Sequence, residues 1–157
     1  MKRKTLTSAM KASISDVLET MFFLPLELSD DAQFEKWWAS GRKDLLVAKL
    51  CFKGPVSGTF FFFIPKDLGL SLAANFMGEE EGDVSREQVE DTVKEILNMI
   101  SGNSFGTWDD QQVFDLGIPK IVHFEEAERD HSACSENVFI GIRTLDDSLG
   151  LELIMQT

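Results

Sequence analysis

The chain has 157 residues, of which 43% are hydrophobic and 27% charged, a length and composition that suit one soluble domain with a sizeable core. Its 27 acidic residues against 15 basic ones give a net charge of -12, which repels nucleic-acid phosphates and anionic lipid and so argues against sequence-independent binding to either. Behind the basic start, MKRK with Lys11, there is no apolar stretch of signal-peptide form. The densest apolar run, FFFFI at 60–64, has the length of a strand and not of a membrane span. Residues 1–157 are therefore expected to form a single cytoplasmic domain.

In chain order, Met10, Ile14, Val17 and Met21 recur at helical spacing and predict a helix over 8–23, with Pro25 ending it. Residues 26–44 are harder to read. Asp30 and Gln33 resemble a capping box, and Phe34, Trp37 and Trp38 suit the apolar side of a short helix or a partner contact. The segment is expected to be an irregular excursion with a helical turn or more. LLVAKLCF (45–52) and VSGTFFFFI (56–64) predict an antiparallel hairpin turning at Gly54 and Pro55. Four consecutive phenylalanines imply a strand covered on both faces. A helix after Pro65 is expected to stop at Gly78, followed by a solvated acidic loop, EEEGD.

Ser85 to Gln88, SREQ, has the capping-box form and predicts a helix that runs to about Gly102. Strands are expected from Pro119, from Glu136 and from Leu149, with EEAERDHSACS as a polar connection between the first two. The fold class is thus α+β, with long helices packed on a largely antiparallel sheet and a loose internal duplication of helix followed by strands. The apolar strand at 149–155 would offer a pairing edge, which makes a homodimer plausible.

Cys51 and Cys134 lie in dissimilar surroundings and read as two reduced thiols. His131 and Cys134, with Glu128 and Asp130 nearby, have a spacing that could hold a metal. A structural zinc site normally takes four ligands, however, and there is no second Cys/His pair. No cofactor is expected on this chain.

The stretch DTVKEILNMISGN (91–103) carries the chemistry. Val89, Val93, Ile96, Leu97 and Ile100 project to one side of a helix, whereas Asp91, Glu95, Asn98 and Gly102 make a connected stripe on the other. A polar stripe is also what any amphipathic helix turns to solvent. Two features stand out from that background. Asn is a mediocre residue in mid-helix, and Gly102 thins the side wall, either capping the helix or letting another backbone approach.

D-x3-E-x2-N at Asp91, Glu95 and Asn98, followed by SGN and later by Pro119, closely resembles the signature of the CheC, CheX and FliY family, which are phosphatases acting on phosphorylated CheY-type receiver domains. The one-motif CheX form is the nearest, over most of the chain. The resemblance implies a CheC-like fold and a catalytic pair, Glu95 and Asn98; Asp91, Gly102 and Asn103 are expected as binding residues beside it, Asp91 supporting the interface and Gly102 and Asn103 shaping the helix end. It implies a phosphorylated receiver as partner, magnesium carried by that receiver, and dimerisation through the sheet. In the first helix Ser15, Glu19 and Phe22 repeat the spacing without an amide, so a second site is expected to be degenerate and Glu19 a surface or structural acid. The alternative is a module that binds a receiver or a flagellar-switch component without hydrolysis.

Overall fold

A computed structural model describes residues 3–29, 44–108 and 113–156. The first helix, α1 (Arg3–Ile14), widens without a break into a π-helical segment (Ser15–Met21). There follow β1 (Glu27–Ser29), the hairpin β2 (Leu45–Lys53) and β3 (Ser57–Pro65), α2 (Lys66–Met77) and α3 (Arg86–Trp108). The chain ends with β4 (Asp115–Leu116), β5 (Lys120–Val122), α4 (Phe124–Ala133), β6 (Glu136–Arg143) and β7 (Ser148–Gln156). Among the described residues the strands form one sheet in the order β1-β6-β7-β3-β2-β4, with β5 also on β2. All of these pairs are antiparallel.

Alternation along the strands builds two cores. Leu50, Phe60, Phe62, Ile140, Leu151 and Leu153 face α1, α2 and α3, with Met10, Ile14, Val93, Ile96 and Ile100 inserted from the helices. Val47, Phe61, Phe63, Phe139 and Ile154 face the opposite way, toward Phe124 and Ala127 of α4. Phe60 to Phe63 are all fully buried, because successive side chains enter different cores. This is the two-sided cover that four consecutive phenylalanines predict.

Several boundaries follow from local chemistry. Gly78, at φ 68°, closes α2 in the left-handed region, where glycine avoids a steric penalty. The expected capping box starts α3: Gln88 N–H donates to Ser85 Oγ at 3.1 Å, and Ser85 N–H donates to Gln88 Oε1 at 2.9 Å.

Other expectations need correction. α3 does not stop near Gly102 but continues to Trp108, since Phe105 finds a core position among Phe52, Phe60 and Phe114. The polar connection at 125–135 is largely helix α4, and the short strands β1 and β4 were not foreseen. The first helix begins earlier than residue 8. Its π-helical turn shifts the side-chain phase, so Leu18 is buried and Met21 is 46% exposed. The apolar strand at 149–155 is no edge, because β7 pairs with β3 on one side and β6 on the other. The stated reason for a homodimer therefore falls. Asp30, Gln33, Phe34, Trp37 and Trp38 lie outside the described residues. Among the described residues no helix is long and apolar enough to cross a membrane.

Candidate functional site

Helix α3 is held by its apolar side. Val89, Val93, Ile96, Leu97 and Ile100 are all buried, as their spacing predicts. Ser13 Oγ of α1 adds a buried hydrogen bond, donated to the Ile100 carbonyl at 2.7 Å. With that side fixed, a rise of about 1.5 Å and a turn of about 100° per residue set where the others point.

Asp91, Glu95 and Gly102 are exposed, and Asn98 is half-buried. Glu95 and Asn98, three positions apart, are neighbours on the helix surface, with Asp91 one turn before and Gly102 one turn after. Asn103 is exposed as well but lies a quarter-turn to the side of the stripe. The helix thus brings Asp91, Glu95, Asn98 and Gly102 together and leaves Asn103 beside them.

Gly102 is neither a cap nor closely covered. A Cβ built there would meet Leu116 Cδ1 at 3.8 Å, an ordinary contact, and one at Gly106 would meet nothing within 4 Å. Beyond Asn98 the helix therefore offers a low wall that another backbone can approach.

One charged neighbour went unremarked in the sequence. Lys94 Nζ lies 3.2 Å from Asp91 Oδ1, its side chain only 32% exposed. The spacing D-x2-K, which joins residues three apart on a helix, was the available signal.

The repeated motif in the first helix is built differently. Glu19 is exposed, whereas Phe22 is buried and its ring stacks on Phe76 with centroids 5.2 Å apart. A π-helical turn closes on i→i+5 hydrogen bonds and is wider than an α-helical one. Residues three apart are then further from a full turn than in an α-helix, and Glu19, exposed, and Phe22, buried just past the segment, do not share a side.

The HSAC segment serves packing. His131 Nδ1 contacts the fully buried Glu152 carboxylate, which also accepts from Asn137 Nδ2 at 2.9 Å. Cys134 packs on the second core. Among the described residues no group of three or more His, Cys, Asp or Glu side chains could hold a metal ion.

Comparison with known proteins agrees with this architecture. The family model described as "Chemotaxis phosphatase CheX" matches residues 46–143. No curated protein matches the sequence. Among solved structures, a CheC-like superfamily protein from Shewanella sp. PV-4 superposes with a TM-score of 0.73 at 17% identity, covering 100% of both chains. The CheX-CheY-BeF3-Mg2+ complex from Borrelia burgdorferi gives 0.71 at 17%, covering 97% of this chain and 98% of that one. The chemotaxis protein CheX from Vibrio vulnificus gives 0.70 at 20%, covering 96% of each. At these identities the superpositions establish a CheC-like fold, whereas the family match spans more than half of the sequence. The chain belongs to the chemotaxis phosphatase CheX family.

Proposed function

We propose that this protein stimulates hydrolysis of the aspartyl phosphate on a CheY-type receiver domain, with Glu95 and Asn98 entering the receiver's pocket. The observation that carries this reading is the placement of the pair. Both project from the outer side of a 23-residue helix whose opposite side is locked in the core. Family membership and the complex of the Borrelia CheX with CheY, beryllofluoride and magnesium support the choice of partner.

An acyl phosphate is already activated toward water, so catalysis consists mainly of positioning. The Asn98 carbonyl accepts a hydrogen bond from the attacking water, and its NH2 donates to a phosphoryl oxygen. The water oxygen bonds to phosphorus as the bond to the aspartyl oxygen breaks. Inorganic phosphate leaves, the receiver's carboxylate is restored, and the water's proton passes to solvent or phosphate. A neutral amide does this without setting negative charge against the phosphoryl group. A carboxylate in its place would be repelled.

Glu95, beside it, pairs with the lysine of the receiver's active site through a charge-assisted hydrogen bond and so fixes register. Magnesium belongs to the receiver's own acids, where it neutralises the phosphoryl oxygens. Gly102 allows close approach along the same stripe, with Asn103 at its border.

The test is a panel of receivers carrying labelled phosphate, each mixed with catalytic amounts of this protein. At least one is expected to lose phosphate many times faster than it does alone. A stoichiometric complex with unaltered decay across the panel would contradict hydrolysis and favour a binding module.

A further inference from the structure

We propose that Lys94 is the cation by which this protein distinguishes a phosphorylated receiver from an unphosphorylated one, with Asp91 as its holder. The inference rests on the functional reading above and adds a residue to it. α3 carries four acids, Glu87, Glu90, Asp91 and Glu95, against two basic residues, Arg86 and Lys94. An acidic stripe on a chain of net charge -12 meets a partner pocket that gains negative charge on phosphorylation. The receiver's magnesium offsets part of that charge and Glu95 engages the receiver's lysine, so a further cation on the docking helix favours the phosphorylated form.

Lys94 supplies that cation. Arg86 is engaged with Glu90, at 3.1 Å, and sits three turns before Asn98. Lys94 precedes Asn98 by four residues, so their Cβ atoms are about 5–6 Å apart on one side of the helix. Helical side chains lean toward the N-terminus, which sets the Asn98 amide over the turn that contains Lys94.

The ion pair with Asp91 at 3.2 Å draws the ammonium toward the functional stripe. It does not trap it there. Surface pairs at this spacing are weak, and Asp91 is itself 61% exposed. A docked phosphoryl group, doubly charged and partly shielded from water, competes well for the same ammonium. Lys94 then swings about one helical turn, from Asp91 to a phosphoryl oxygen next to Asn98. Asp91 thus acts through Lys94, as a positioning residue.

The experiment is equilibrium binding of the whole protein to a receiver in Mg2+ throughout, with and without beryllofluoride, which mimics the acyl phosphate without turning over. The readout is the ratio of the two affinities. Lys94→Gln is expected to lower the preference for the beryllofluoride form about threefold to tenfold, the scale of one partly screened charge contact. Lys94→Arg should keep it. A merely structural role would weaken both affinities alike and leave the ratio unchanged, so an unaltered ratio in Lys94→Gln overturns the proposal. A wild-type protein with no preference for the beryllofluoride form would instead contradict the functional reading itself.

Discussion

Gly102 lies in the body of a helix that runs six residues further, to Trp108, in a place where glycine weakens the helix by about 1 kcal/mol relative to alanine. Nothing local requires it, since a Cβ there would make only an ordinary contact with Leu116. Gly102→Ala is therefore expected to raise stability by about 0.5–1 kcal/mol, read as a higher urea midpoint. If the low helix wall serves the proposed interface, the same variant should weaken receiver docking. A stabilised variant with unaltered docking would show that the glycine has no part in the interface. Phe22 shows the opposite situation. Buried and stacked on Phe76, it fills the place where an amide would complete a second motif. Phe22→Asn should cost about 3 kcal/mol or more, from lost burial and an unsatisfied amide, without adding phosphatase activity. A gain in turnover at constant Asn98 would contradict the degenerate reading.

At the scale of elements, α4 is attached to the sheet by charge as much as by apolar contact. Lys49 Nζ donates to Glu126 Oε2 at 2.6 Å and to Asp130 Oδ2 at 3.1 Å. Burial alone would lower the Lys49 pKa, but its hydrogen bonds and charge pairing with the two acids raise it above the usual lysine value. The hydrogen bond from Lys49 holds Glu126 below the usual carboxylate value, against a smaller opposing effect of burial. A depressed carboxylate contributes stability that is present above its unfolded pKa, 4.5, and is lost as pH falls through the folded value. Stability should then decline on acidification below that point. Lys49→Met should lower stability at neutral pH by about 1 kcal/mol and flatten this acid dependence. Denaturant titrations at several pH values check both, and a slope unchanged by the substitution would contradict the attachment. This element was hidden in the sequence because its inward residues are Phe124, Ala127 and His131, with Cys134 just past its end. They recur at helical spacing, but only one of them is a large apolar side chain. Leu28 in β1 and Leu116 in β4 gave still less signal, each strand being three residues or fewer. The hairpin, α2 and the start of α3 were legible because turn, cap and alternation agree there. The Asp91, Glu95, Asn98 and Gly102 stripe was legible for a simpler reason: helical spacing alone decides which residues share a side. For Lys94 the D-x2-K spacing gave only the neighbourhood, since an ion pair depends on where a flexible side chain settles.

At the scale of the molecule, the antiparallel sheet and the paired helices α1 and α3 bury one side of α3 and turn the other outward, the side from which, in the proposed function, Glu95 and Asn98 act together on a partner. The central claim is that Asn98 positions the water that releases phosphate. It is tested most directly by following the decay of a phosphorylated receiver at saturating concentrations of wild-type protein and of Asn98→Ala, with the affinity of each measured separately. The account predicts a stimulated rate lower by about 10² or more in the variant, the usual loss on removing a positioned catalytic group, at nearly unchanged affinity. Equal decay rates for the two proteins would contradict it.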